Sequence, residues 1–161
     1  MACRIHVAVS AAPFDQAAEL AAITAGRTDI GAVVTFTGLC RDEDGRLAAL
    51  ELEHYPGMAE AELGRIAAQA AERWPVQALT IVHRHGRMEP GAPIVLVAAA
   101  SPHRHAAFAV AEFVMDFLKT HAPFWKKEHG RAGDTGWVAA KDADDDAASR
   151  WREAGVEDAG R

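Results

Sequence analysis

The order of apolar and polar residues changes its period along the chain, and each change marks an element. In RIHVAVS, Ile5, Val7 and Val9 alternate with other residues, which predicts a first strand. FDQAAELAAITA follows, with Asp15 as N-cap and Leu20 and Ile23 on one face, a short helix. GAVVTFTG, residues 31–38, is β-branched and aromatic between glycines and predicts a second strand. Asp44-Gly45 is a hairpin-turn pair. In LAALELEHY, Leu50, Leu52 and His54 alternate with Glu51 and Glu53, a strand with one wet face. After Pro56-Gly57, MAEAELGRIAAQAAERW puts Leu63, Ile66, Ala67 and Ala70 on one helical stripe. VQALTIVHRHG and APIVLVAAAS read as two further strands turning at Pro90-Gly91. The second is apolar throughout, so it is expected to be central and covered on both faces.

A helix is predicted from about Ala106 to His121, where Val110, Phe113, Val114, Phe117 and Leu118 form one stripe and Pro123 ends the run. GWVAA reads as a last short strand, and the Asp-rich end as a helix or a frayed tail. The order β-α-β-β-α-β-β-α-β predicts an α+β fold, a mainly antiparallel sheet with packed helices. Residues 1–151 are expected to form one domain and residues 152–161 a flexible tail.

The end of the long helix breaks the pattern. In MDFLKTHAPFWKKE, Lys119, Lys126 and Lys127 lie among Phe117, Phe124 and Trp125. At 100° per residue Lys119 lies opposite the core stripe, on a side shared with Phe108, Glu112 and Met115. A helix apolar on two sides needs a second cover: a loop, a second subunit or a partner. Lysines laying their stems on apolar surface would explain the pattern without function. Lysines partly withdrawn from water, with altered pKa, would explain it by chemistry.

Composition narrows the classes. The chain has 161 residues, half apolar and a quarter charged, with a formal net charge of −6. That suits one domain and argues against general nucleic-acid binding. A local basic stretch on a negative protein suits a small anionic ligand. No run of eighteen apolar residues is present, and MACRIHVAVS lacks the features of a signal peptide, so no membrane association and a cytoplasmic location are expected. Cys3 and Cys40 offer neither a disulfide framework nor a zinc knuckle.

Further candidates are weaker. SPHRH, residues 101–105, precedes a helix whose free N–H groups, with His103 and Arg104, make an anion site or an ordinary solvated loop. Arg41, at the end of GLCR, can fork onto a phosphate or remain a surface arginine. His83 and His85 share a strand face, but no matching carboxylate or cysteine completes a metal site, so both read as polar strand residues. Nothing lowers the pKa of Cys40, which reads as a plain small side chain.

Several stretches together resemble the family of the large, catalytic subunit of molybdopterin synthase: GAVVTFTGLCR, LELEHYPGMAE, RHGRMEPG, SPHRHAAFAVAEFVMDFLKTHAPFWKKE and GDTGWVAA. The resemblance covers about residues 5–151. It implies an α/β hammerhead-type fold and a central homodimer. A small ubiquitin-like sulfur-carrier subunit docks at each end, making a heterotetramer. The carrier's C-terminal Gly-Gly tail, ending in a thiocarboxylate, enters a pocket of the large subunit, where sulfur passes to cyclic pyranopterin monophosphate. Two transfers build the dithiolene of molybdopterin. No cofactor and no metal are expected.

The resemblance also implies residue roles. Lys119 and Lys126 fall on the catalytic lysines. Leu39, Cys40 and Arg41 fall on a substrate-binding turn, and His103 and Arg104 on a substrate-binding pair supplied from across the dimer. Lys127 and Glu128 extend the substrate-binding pocket, and Phe36 and Met115 line it. Within that scheme Arg41, His103 and Arg104 suit the phosphate. Lys119 suits the oxyanion that develops at the tail carbonyl, and Lys126 a charge or a proton as the cyclic phosphate opens. Cys40 stands where the family more often has an aliphatic residue and is expected to be structural. His121 stands in place of an arginine, so charge there varies with pH. Two other classes stay open on the residues alone: a non-catalytic module for a ubiquitin-like Gly-Gly tail or small anion, and a metal-dependent phosphate-ester hydrolase.

Overall fold

The structure is a computed structural model that describes residues 2–138 and 142–158. Twelve elements occur among them: β1 (Arg4–Ser10), α1 (Gln16–Thr24), β2 (Ala32–Leu39), β3 (Leu47–His54), α2 (Met58–Arg73), β4 (Ala78–Arg84), β5 (Gly86–Met88), β6 (Pro93–Ser101), α3 (Arg104–His121), β7 (Phe124–Gly130), β8 (Thr135–Val138) and α4 (Asp142–Asp158). They form two four-stranded sheets, ordered β1-β4-β6-β2 and β5-β3-β7-β8. Every pair is antiparallel except β1 with β4. The class is therefore α+β as expected, but with two sheets rather than one.

The first sheet carries the core. β6 lies between β4 and β2, and from Val95 to Ser101 it is buried throughout, as its unbroken apolar run predicts. α2 and α3 cover it with the expected stripes: Leu63, Ile66, Ala67 and Ala70 from one, and Val110, Phe113, Val114, Phe117 and Leu118 from the other. Asp15 caps α1, its Oδ1 accepting from the Ala18 N–H at 3.0 Å, and Ile23 is that helix's buried contact. Glu60 accepts from the Gly57 N–H at 2.8 Å and closes the start of α2.

Two connections differ from expectation. Asp44 and Gly45 do adopt positive φ, 64° and 67°, as a tight turn requires. They do not join a hairpin, because β2 and β3 belong to different sheets. The switch begins at an irregularity between Gly38 and Leu39, where β2 leaves the register of β6. Gly38 is needed there: a Cβ would stand 2.8 Å from Val95 Cγ1. The segment VQALTIVHRHG likewise divides. β4 ends at Arg84, and β5 pairs instead with β3 in the second sheet.

α4 crosses the expected 151/152 boundary and is helical to Asp158. Trp151 packs edge-on against Trp74 and Phe113, with ring centroids 5.4 and 5.5 Å away, and its Nε1–H donates to Asp116 Oδ2 at 2.7 Å. Residues 139–141 and 159–161, which include parts of the expected last strand and tail, lie outside the described residues. Phe113 joins α3, Trp74 and Trp151. Phe113→Ala is expected to cost about 3–5 kcal/mol in urea unfolding, and a loss below about 1 kcal/mol would exclude this junction from the core.

Candidate functional site

Only Ala122 and Pro123 separate the end of α3 from the start of β7. The FWKKEHG segment, for which the sequence pattern predicts no element, is a strand between β3 and β8. Strand alternation then splits its charges. Phe124, Lys126 and Glu128 stand opposite His54, Leu52 and Leu50, while Trp125 and Lys127 stand opposite Glu53 and Glu51. The first face turns toward the first sheet and the second face turns away.

A cleft of about 110 Å³ opens where the two sheets and α3 meet. Lys119 and Met115 enter it from α3, Lys126 and Phe124 from β7, Phe36 and Leu39 from β2, and His83 from β4. Five of the expected site residues thus converge: Lys119, Lys126, Phe36, Leu39 and Met115. Met115 is buried, whereas Phe108, expected on the same covered side, is 62 % exposed and is not part of the cleft lining.

The other expected residues lie elsewhere. Cys40 is buried behind the cleft with Leu50, Leu52 and Met88, and burial pushes its thiol pKa up, which suits a structural side chain. Arg41 is exposed and ion-paired with Glu43. Lys127 points away from the cleft, its Nζ 5.5 Å from the Trp137 ring centroid, because adjacent strand residues face opposite ways. Glu128 shares the face of Lys126 but is exposed and outside the lining. His103 and Arg104 are exposed at the start of α3. At 1.5 Å per residue, the fifteen positions from Arg104 to Lys119 span about 22 Å, so this pair is far beyond reach of its own cleft.

His83, read from sequence as an ordinary strand residue, is the main addition. The signal was present: it has the parity of Leu79 and Ile81, both fully buried. Its ring stacks on Phe124 with centroids 3.9 Å apart and planes 12° apart. Its Nδ1 lies 2.8 Å from the Arg84 carbonyl oxygen. Burial, with a smaller contribution from the nearby Lys119, Lys126 and His54, lowers its pKa to about 4, so it is neutral at pH 7. Beside it His54 and His85 pack with centroids 4.2 Å apart, and burial also lowers His85. Among the described residues no group of three or more His, Cys, Asp or Glu could hold a metal ion.

The cleft is narrow and largely apolar, with ammonium groups on two sides. It can admit a slender chain end and stabilise negative charge there. Ligand pockets for drug-sized molecules are commonly about 300–1,000 Å³, so this cleft is smaller than such a pocket.

Comparison with known proteins agrees with this architecture. A family model described as MoaE protein matches residues 9–121. The chain is 66 % identical over 154 residues to a molybdopterin synthase catalytic subunit of Rhizobium meliloti (strain 1021), covering 94 % of this chain and 98 % of the relative. It superposes on a molybdopterin biosynthesis MoaE protein from Burkholderia ambifaria with a TM-score of 0.79 and 49 % identity, covering 94 % and 98 % of the two chains. The crystal structure of molybdopterin synthase from Staphylococcus aureus gives a TM-score of 0.75 and 32 % identity, covering 81 % and 95 %.

The lowered pKa of His83 has a thermodynamic consequence. Between pH 6.5 and about 4 the unfolded chain protonates this residue and the folded chain does not, so stability falls as pH falls through that window. The wild type is expected to lose on the order of 3 kcal/mol more than His83→Phe across it, measured by urea unfolding at matched pH values. Parallel losses in the two proteins would contradict a buried neutral imidazole.

Proposed function

The chain belongs to the MoaE protein family, and from that premise we propose that it is the catalytic subunit of a molybdopterin synthase. In this reading it transfers sulfur from the C-terminal thiocarboxylate of a small ubiquitin-like carrier to cyclic pyranopterin monophosphate. The carrying observation is the convergence of Lys119 and Lys126, from a helix and a strand, on one narrow apolar cleft. The relatives' designation as a catalytic subunit supports a partner subunit, and the small bore of the cleft supports an extended Gly-Gly tail as its occupant. No described helix is long and apolar enough to cross a membrane, and we place the reaction in the cytoplasm.

The physical problem is the meeting of two anions. The thiocarboxylate and the phosphate repel one another, and fixed cations offset that repulsion most strongly where water is excluded. Lys119, at the rim, faces the entering tail and stabilises the oxyanion that forms at its carbonyl. Lys126, deeper against Phe124, stabilises charge or carries a proton as the cyclic phosphate opens. Met115, Phe36 and Leu39 wall the tail and exclude water. Arg41 lies outside the isolated cleft and reaches the phosphate only if its exposed pairing with Glu43 is exchanged, at little cost for so solvated a pair.

His103 and Arg104 serve this reading only from a second copy, because about 22 Å of helix separates them from the lysines of their own chain. That distance favours a homodimer with composite sites, flanked by two carriers.

Lys119→Ala and Lys126→Ala are each expected to lower sulfur transfer about 10²–10³-fold while carrier binding persists, assayed with thiocarboxylated carrier and precursor. Near-normal turnover of either would remove its assigned role, and carrier binding without any transfer by the wild type would favour a binding module. Arg104→Ala is also expected to be impaired. Mixed with Lys119→Ala, it should form heterodimers that each regain one intact site, whereas no recovery on mixing would contradict a composite site.

A further inference from the structure

Among the residues of the cleft, His83 has the most tightly defined surroundings. Phe124 holds one face of its ring, and the Arg84 carbonyl holds Nδ1. A carbonyl oxygen only accepts, so Nδ1 carries the proton, and the neutral ring keeps a bare lone pair on Nε2. Nε2 is its one remaining polar atom. Among the described residues the buried side-chain polar atom without a partner is Gln77 Oε1, so Nε2 is not a sealed orphan.

The charged and titratable groups acting on the ring are Lys119 from α3, Lys126 from β7 and His54 from β3, and each opposes a positive charge on it. No carboxylate is among them. Phe124 and Lys126 are successive residues on one face of β7, so a ring stacked on Phe124 lies beside the Lys126 stem.

This arrangement answers a specific difficulty. Ammonium groups that stabilise a developing oxyanion must be aimed at it, and a flexible four-carbon stem aims poorly. A carboxylate could hold an ammonium in place, but it would cancel the charge and repel both anionic reactants. An imidazole that stays neutral accepts an N–H and leaves the positive charge intact.

Building on the sulfur-transfer reading, we propose that His83 is a positioning residue of the cleft, whose bare Nε2 accepts an ammonium N–H from the Lys119–Lys126 pair and directs that cation at the reacting carbonyl. It forms no bond to substrate and transfers no proton. Its contribution is the direction of a charge.

The test compares wild type, His83→Phe and His83→Gln in sulfur transfer at pH 7.5, with ¹⁵N NMR of the wild-type histidine rings. His83→Phe keeps the stacked ring and loses the acceptor. It should lower kcat about 10–100-fold while KM and carrier affinity stay within about twofold. His83→Gln restores a neutral acceptor and should regain most of the lost rate. NMR should show His83 protonated on Nδ1 and bare on Nε2. A His83→Phe kcat within twofold of wild type, a His83→Gln no better than His83→Phe, or a proton on Nε2 would each overturn the proposal. A wild type that binds carrier but transfers no sulfur would overturn the sulfur-transfer reading and this role with it, whereas the tautomer is read without any activity.

Discussion

The seating of α3 on the first sheet is the contact on which the cleft depends. Val110, Val114 and Phe113 lock the helix onto a strand that is buried on both faces, and a core packed this densely does not let a helix slide. The chain then has two residues, Ala122 and Pro123, in which to leave the helix and enter the second sheet. Pro123 cannot continue the helix, and β7 is held on both sides by β3 and β8. Lys119 and Lys126 are therefore brought to one cleft by the backbone, which leaves the aim of their flexible stems to the side chains around them.

A cleft made this way is strong in some respects and incomplete in others. Its walls are apolar, its cations come from separate elements, and its one buried imidazole is kept neutral by its surroundings. Each feature raises the effect of positive charge on an entering anion. Two further basic residues, His103 and Arg104, sit at the far end of the same rigid helix. A straight helix cannot bring its two ends to one point, so in the proposed reaction those residues serve another protomer's cleft.

Much of this was legible in the sequence because periodicity reports local burial. The stripes of α2 and α3 and the unbroken run of β6 match the observed burial for that reason. What escaped was set by contacts distant in sequence. Asp44-Gly45 makes its turn, yet which sheet each flanking strand joins is decided by pairing with β6 on one side and β7 on the other. β7 hid because its inward face is a phenylalanine followed by a lysine and a glutamate, and only the cleft makes a lysine acceptable there. Adjacent Lys126 and Lys127 read as one basic patch, whereas a strand sends them to opposite faces. His83 carries a usable sign in its parity with Leu79 and Ile81, but the stacking partner Phe124 and the two lysines around it come from distant segments.

In the proposed reaction the cleft between α3 and β7 receives the carrier's tail. Photo-crosslinking reads this directly: a carrier with a photoreactive group at the penultimate position of its tail is bound and irradiated, and the attached peptides are identified by mass spectrometry. Attachment is expected at the cleft walls, on Phe36, Met115 or Phe124. Attachment confined to the outer face of the second sheet, at Tyr55, Trp125 or Trp137, would contradict it.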